Sequence, residues 1–182
     1  MSKVCIFLAE GFEEVEALTV VDLLRRANIQ IDMVSISDSL KVRGRSNIEV
    51  TADVMWEDSK AETADMLILP GGMPGVTYLG EHTGLTDLIC KYANEGKLLS
   101  AICAAPTVFG QLGILAGKKA TCYPGLEGKL TGAEVVTDEK VVTDGNITTS
   151  RGVGTAIAFA LRLITILADS EISEKVGGSI VY

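Results

Sequence analysis

Residues 4–28, VCIFLAEGFEEVEALTVVDLLRRAN, contain a short apolar run followed directly by an amphipathic segment. The run 4–9 is almost continuously apolar, which is typical of a strand buried on both faces of a sheet. From residue 15 to residue 28 the apolar residues recur at helical spacing. The face that they form consists of Val15, Leu18, Val21 and Leu24. A buried strand that leads at once into a helix is the repeating unit of a parallel α/β sheet.

The same alternation continues along the rest of the chain. Strands are predicted at 31–36, 66–69, 98–102, 120–123, 135–138, 140–144 and 147–150, and helices at 85–94, 107–112 and 154–168. The last two strands meet at Asp144-Gly145, a strong hairpin turn signal. This pattern predicts one α/β domain over residues 1–182, with a mainly parallel sheet covered by helices on both faces. Ligands bind such sheets at the carboxyl ends of the strands.

The composition excludes several classes of protein. Of the 182 residues, 47% are hydrophobic, which is too high a share for a largely disordered chain. The 24 acidic residues outnumber the 16 Lys and Arg residues and give a net charge of -8. Nucleic acids and anionic membranes both require a basic surface, so neither is an expected partner.

The cysteines and the single histidine, His82, argue against a structural metal site. No C-x-x-C pair occurs, and a structural zinc site needs four closely spaced N or S ligands. The start of the sequence lacks a signal-peptide pattern, and the apolar stretch 156–168 is shorter than the ~20 residues that span a bilayer. We therefore expect a cytoplasmic protein with free thiols. The cysteines are Cys5, Cys90, Cys103 and Cys122.

Three segments follow predicted strands and are candidates for the functional site. The first, 10–16, contains four carboxylates. Glu13 and Glu14 are typical of an acidic helix start, which the helix dipole favours. Glu16 lies in the first turn of the helix, where its side chain can point toward the crevice at the strand ends.

The second segment is Leu-Pro-Gly-Gly-Met-Pro-Gly at 69–75. Its glycines permit backbone conformations that leave N–H groups free to face an anion. A plain tight turn explains the same residues equally well. The segment lacks the glycine spacing of dinucleotide-binding loops and the G-K-[ST] ending of phosphate-binding loops.

The third segment, 100–106, takes a buried strand through small residues into a helix that begins near Pro106. Cys103 at this elbow lies where helix N–H groups and the helix dipole stabilise a thiolate, although a buried structural cysteine is an equally common outcome. Cys5 and Cys122 fall inside predicted strands and Cys90 on the apolar face of a helix, so we expect these three thiols to be inert core residues.

At these segments the sequence resembles the ThiJ/PfpI superfamily, and most closely its DJ-one branch. The matching motifs are E-G-F-E-E-V-E-A at 10–17, D-L-L-R-R-A at 22–27, L-P-G-G at 69–72, A-I-C-A-A-P at 101–106 and T-S-R-G-V-G-T at 149–155. The resemblance implies a flavodoxin-like α/β sandwich, usually assembled as a homodimer.

The resemblance also implies the roles of the site residues. Cys103 is the reactive thiol, Glu16 is the acid beside it, and Gly71 and Gly72 help to form an anion-binding backbone pocket. Members of the family are thought to keep this acid protonated, so that it donates a hydrogen bond to the thiolate. A carboxyl held beside a negative sulfur and away from water does disfavour its ionised form.

Some residues depart from the family pattern. Ala104 stands where the protease-like branch has a histidine, so a nucleophile–base pair for peptidase chemistry is missing. Tyr123 stands where the DJ-one branch often has a histidine, and its phenol can still donate a hydrogen bond. His82 lies in a polar loop, which indicates a solvated surface residue. The order Arg45-Ser46 is reversed, so an arginine contact to a partner's pocket is not expected.

These observations support two main hypotheses about function. The first is a cofactor-free glyoxalase or deglycase, in which Cys103 attacks methylglyoxal or a related aldehyde, Glu16 moves protons, and the N–H groups of Gly72 and Ala104 hold the oxyanion. The second is a redox sensor or chaperone-like stress protein that acts through oxidation of Cys103. A cysteine hydrolase is disfavoured by Ala104, and a purely structural scaffold would leave the three motifs unexplained. The expected partners are a small aldehyde or an oxidant and a second copy of the chain, without metal or cofactor.

Overall fold

Seven strands form the central sheet of the computed structural model, which describes residues 2–182. In chain order, the strands of this part of the protein are β1 (Lys3–Leu8), β2 (Gln30–Ser35), β3 (Lys41–Arg43), β4 (Glu49–Thr51), β5 (Val54–Met55), β6 (Met66–Leu69), β7 (Leu98–Ile102), β8 (Lys119–Ala120), β9 (Glu134–Val135), β10 (Val141–Asp144) and β11 (Ile147–Ser150). The order across the sheet is β10-β11-β7-β6-β1-β2-β5, whereas β3 pairs with β4 and β8 with β9 in two small ribbons.

The pairing in the central sheet is parallel except at one edge. β1 lies between β2 and β6 and is parallel to both, and β7 is parallel to β6 and β11. The hairpin of β10 and β11 turns at Gly145 and is antiparallel, as the Asp144-Gly145 signal predicts. The predicted mainly parallel sheet is therefore confirmed.

Helices cover both faces of the sheet. They are α1 (Glu14–Arg26), α2 (Gly75–Glu81), α3 (Thr83–Glu95), α4 (Pro106–Gln111), α5 (Ala156–Leu167) and α6 (Ser170–Ser179). The apolar residues of α2, α3 and α4 pack on one face together with Cys5 and Phe7 of β1. Those of α1, α5 and α6 pack on the other face with Val4, Ile6 and Leu8. Alternate side chains of β1 thus pack into two separate cores, one on each face of the sheet, which explains the continuous apolar run of this strand.

Several regions differ from the sequence-based prediction. The strand predicted at 120–123 ends at Ala120, because the N–H of Thr121 donates to Thr149 Oγ1 at 2.9 Å instead of extending the ribbon. The ribbon of β3 and β4 and the short helix α2 carry too few periodic residues to be found by spacing.

The topology determines where chemistry can occur. β1, β6, β7 and β11 are neighbours and run in the same direction, so their carboxyl ends lie along one edge of the sheet. Glu16, Gly71, Cys103 and Arg151 lie in the segments that follow these four strands. Residues that are far apart in sequence are thereby brought to a single site.

Candidate functional site

Cys103 occupies a sharp turn between β7 and α4. Its φ angle is +67°, a left-handed conformation that is costly for a residue with a side chain. Two hydrogen bonds hold this backbone: the N–H of Cys103 donates to the carbonyl of Ser150 at 3.0 Å, and its carbonyl accepts from the N–H of Tyr123 at 2.7 Å. The turn places the half-buried thiol at the carboxyl end of the sheet.

Glu16 lies in the first turn of α1 and is fully buried. Its Oε2 accepts a hydrogen bond from the N–H of Gly71 at 2.9 Å. Within the described residues, its Oε1 has no hydrogen-bond partner. A Cβ atom added to Gly71 would lie 2.5 Å from Glu16 Oε2 and 3.1 Å from Cys103 Sγ, so the carboxyl and the thiol share the space beside this glycine.

Burial disfavours the charged form of both side chains. It raises the pKa of Glu16 from 4.5 to about 7, although polar contacts with the Cys103 thiol and the Gly71 N–H partly oppose the change. Burial and the neighbouring Glu16 carboxylate together raise the pKa of Cys103 from 9.0 to about 12, and the N–H of Ala104 opposes this rise. Burial therefore outweighs the expected stabilisation of the thiolate by the helix. Glu16 loses its proton first and then faces a neutral thiol.

The glycine loop contacts the acid directly. Gly71 donates its N–H to Glu16 and accepts at its carbonyl from the N–H of Glu13 at 2.8 Å. Gly72 has a φ angle of +96°, and a side chain there would collide with the backbone of Glu13. The anion that the N–H of Gly71 binds in this structure is thus the Glu16 carboxylate.

A cavity of about 400 Å³ opens beside the thiol. Glu16, Cys103 and Tyr123 line it, whereas Gly71, Gly72 and Ala104 do not. Ala104 instead borders a neighbouring groove of about 670 Å³ together with Met73. The structure therefore brings thiol, acid and phenol to one cavity, and Tyr123 is 52% exposed at its rim.

Two arginines line the same cavity. Arg45 Nη1 lies 3.4 Å from Glu13 Oε2 of the same chain, an ion pair that the sequence did not suggest. Arg151 follows β11 in the motif T-S-R-G-V-G-T, which was the available signal for its place at the site. Both guanidinium groups favour negative charge in the cavity.

Comparison with known proteins agrees with this geometry. The model of the DJ-1/PfpI family matches residues 2–166. The chain belongs to the DJ-1/PfpI family. This match confirms the resemblance that the motifs indicated, and it extends over nearly the whole chain.

Several relatives of this DJ-1/PfpI protein share about a third of its sequence. Protein dj-1beta of Drosophila melanogaster is 36% identical over 97% of this chain and 95% of its own length. Protein DJ-1 homolog B of Arabidopsis thaliana is 37% identical over 98% of this chain, which spans only 41% of that longer protein. The Caenorhabditis elegans protein named glutathione-independent glyoxalase DJR-1.2 is 33% identical over 93% of this chain and 90% of its own length.

Solved structures share the fold closely. Oxidized DJ-1 of Toxoplasma gondii superposes with a TM-score of 0.95 at 34% identity, covering 100% of this chain and 99% of that one. DJ-1beta of Drosophila melanogaster superposes equally well, with a TM-score of 0.95 at 35% identity, covering 100% of this chain and 98% of that one. The flavodoxin-like fold is confirmed.

The other thiols of this DJ-1/PfpI protein lie away from the cavity. Cys5 and Cys122 are buried, and burial raises the pKa of each thiol to about 11. Cys90 on α3 is half-buried. His82 is half-buried rather than solvated: its Nδ1 accepts from the N–H of Leu85 at 3.0 Å and caps α3.

Residues 2–182 contain neither a cluster of metal ligands nor a membrane-spanning helix. No group of three or more His, Cys, Asp or Glu residues in this range is arranged to hold a metal ion. None of its helices is both long and apolar enough to cross a membrane.

Proposed function

We propose that this DJ-1-type stress protein is a cofactor-free glyoxalase that acts on methylglyoxal or related aldehydes through Cys103. The observation that carries the proposal is the buried Glu16 carboxyl beside the Cys103 thiol in one cavity. A base with a pKa of about 7 is well matched to proton transfer at neutral pH. The name of the nematode relative, a glutathione-independent glyoxalase, supports the same activity.

The first step is attack of Cys103 Sγ on the aldehyde carbon. Ionised Glu16 accepts the thiol proton as the S–C bond forms and the π bond of the carbonyl breaks. Glu16 then passes this proton to the oxygen, which gives a hemithioacetal and leaves the carboxylate ionised for the next step. In this proposal the N–H of Ala104, which contacts the Cys103 sulfur, stabilises the developing oxyanion, and Tyr123 donates a hydrogen bond from the rim.

Glu16 next moves a proton of the substrate itself. It takes the C1 proton of the hemithioacetal to form an enediol, and a proton returned to C2 leaves a lactoyl thioester on Cys103. Water hydrolyses the thioester to lactate and restores the thiol. C1 is oxidised and C2 is reduced within one molecule, so the sequence needs no external oxidant or reductant. The same nucleophile would serve related deglycation of early glyoxal adducts.

Loss of methylglyoxal and formation of lactate test this proposal. We expect Cys103→Ala and Glu16→Gln to lower kcat/KM by about 10²-fold or more, since general acid–base and nucleophilic groups contribute ~10²–10⁴-fold. For the wild type, kcat/KM should rise as the pH increases through about 7, because Glu16 must be ionised to accept the proton. Cys90→Ala removes a half-buried thiol outside the cavity and serves as the control. Consumption by the wild type no faster than by Cys103→Ala would show the proposal to be wrong.

A second candidate is a redox sensor or chaperone that acts through oxidation of Cys103 to a sulfinate. Arg45 and Arg151 at the cavity favour it, because both would stabilise an additional negative charge beside the sulfur. The same preparations can be exposed to mild peroxide and analysed by peptide mass. Oxidation of Cys90 or Cys122 before Cys103 would exclude this candidate.

The proposal includes a homodimer in the cytoplasm. Four free cysteines fit a reducing compartment. Val15 and Ile48 are 49% and 55% exposed, and large exposed apolar side chains favour burial against a second copy. A light-scattering mass close to the 19.2 kDa of one chain would contradict the dimer.

A further inference from the structure

The segment 151–154 forms one wall of the cavity and lies against the acid. A Cβ atom added to Gly152 would lie 3.8 Å from Glu16 Oε1 and 3.4 Å from the ring of Tyr123. Glu16 Oε1 is the carboxyl oxygen without a hydrogen-bond partner in the described chain. The segment therefore covers the carboxyl oxygen that would gain a hydrogen bond if water reached it.

The hydroxyl of Thr155 ties this segment to the sheet. Its Oγ1 accepts hydrogen bonds from the N–H groups of Arg151 at 3.2 Å and Gly152 at 3.1 Å. It also lies 2.7 Å from Ser150 Oγ at the end of β11. One hydroxyl thus contacts both ends of the bend that carries Gly152.

The Thr155 hydroxyl also contacts the Gly152 carbonyl at 2.9 Å, to which it can donate its proton. Ser150 Oγ can likewise donate its single proton to the carbonyl of Lys140 at 2.8 Å. Each hydroxyl has one proton and two acceptors within reach, so the two side chains form one shared network between the segment and the sheet. The Ser150 carbonyl in turn accepts the backbone N–H of Cys103 at 3.0 Å, so the network is connected to the backbone of the cysteine.

We propose that Thr155 is a positioning residue whose hydroxyl holds the 151–154 segment over Glu16 and thereby keeps the Glu16–Cys103 pair shielded from water. The proposal rests on the proposed function only in treating these two side chains as the reactive pair. It assigns to the T-S-R-G-V-G-T motif a role that does not require contact between Thr155 and the substrate.

Loss of this shielding would change the pKa values of Glu16 and Cys103 in a predictable direction. Burial is the largest cause of the raised pKa of Glu16 and of Cys103, so water at Glu16 Oε1 would lower both. Other charged or titratable groups face Glu16 from the neighbouring elements, and a substitution at Thr155 removes none of them. They are Glu13 at the start of α1, Arg45 between β3 and β4, Tyr123 after β8, Arg151 after β11 and Cys103 itself.

The test is the pH dependence of Cys103 alkylation by iodoacetamide, followed by peptide mass in the full chain. We expect Thr155→Val, which removes the hydroxyl and all of its hydrogen bonds, to shift the midpoint to lower pH by about one unit. Thr155→Ser keeps the hydroxyl and should retain the wild-type midpoint. Thr165→Val is the matched control, since Thr165 is exposed on α5 and its hydroxyl donates only to the Leu161 carbonyl. This readout is independent of methylglyoxal turnover, so failure of the glyoxalase proposal and failure of this one are distinguishable.

The buried thiols Cys5 and Cys122 report folding in the same samples, because they stay unmodified only while the core is intact. An unchanged midpoint in Thr155→Val with these thiols protected would overturn the proposal. If these thiols react, Ser150→Ala replaces Thr155→Val as the test variant, because it is a milder way to remove the 2.7 Å contact between Ser150 Oγ and Thr155 Oγ1. A midpoint for Ser150→Ala equal to that of the wild type would likewise overturn it.

Discussion

Cys103 and Glu16 show how burial assigns roles to two titratable residues. With a pKa of about 7, Glu16 is ionised at a pH where the Cys103 thiol, whose pKa is about 12, still holds its proton. A carboxylate beside a thiol is a base beside a nucleophile, which is the arrangement that activates cysteine. No histidine is needed for this pairing, which gives a physical meaning to Ala104 and Tyr123, at positions where a histidine was expected from the protease-like and the DJ-one branch respectively.

Gly71 is the residue on which this pairing depends most directly. A Cβ there would lie 2.5 Å from Glu16 Oε2 and 2.6 Å from Cys103 Cβ, both far closer than van der Waals contact. We expect Gly71→Ala to push the acid and the thiol apart and to lower methylglyoxal turnover by about 10²-fold, the scale of a lost acid–base group. The free energy of unfolding should fall by about 1–3 kcal/mol, as for other overpacked sites.

Gly178→Ala is the control for that substitution, because a Cβ at this helical glycine meets no atom within 4 Å. Its turnover should equal that of the wild type. Full turnover by Gly71→Ala would contradict the account, since it would mean that acid and thiol need not be in contact.

Helix α1 shows what spacing can and cannot predict about an element. Its position was predicted to within a few residues, and so was the placement of Glu16 in its first turn. The predicted apolar face was wrong at Val15, which is 49% exposed, whereas Glu16 is fully buried. Counting apolar residues assigns a glutamate to the solvent side, but the N–H of Gly71 and the Cys103 thiol provide partners that only the folded chain supplies.

The segments after the strands were also predictable only in part, because some of their contacts are formed only in the folded chain. The elbow at Cys103 was predictable because strand, turn and helix are contiguous in sequence. The motif at 149–155 marks Arg151, but local spacing does not place it beside Cys103, since that depends on the pairing of β7 with β11, where Ile102 lies opposite Ser150. Local sequence therefore predicts which residues end a strand, whereas the order of strands decides which of those ends meet.

At the scale of the whole molecule, the site lowers the stability of the fold. The raised pKa of Glu16 means that, between pH 4.5 and about 7, the folded chain retains a proton that the unfolded chain has released. The folded state is then the one that binds more protons, so its stability falls as the pH rises through this window. At about 1.4 kcal/mol per pKa unit, the shift corresponds to a loss of about 3 kcal/mol.

Glu16→Gln removes this titration while keeping an acceptor for the N–H of Gly71 and a donor toward the Cys103 sulfur. We expect the difference in unfolding free energy between Glu16→Gln and the wild type to grow by about 3 kcal/mol in favour of the variant from pH 4.5 to pH 8. Urea titrations at pH 4.5, 6 and 8 would measure it, below the range in which Cys103 titrates. Glu10→Gln, which removes an exposed carboxylate, controls for the loss of one negative charge. A difference that stays constant across this range would mean that burial does not raise the pKa of Glu16, which would contradict this account of the site.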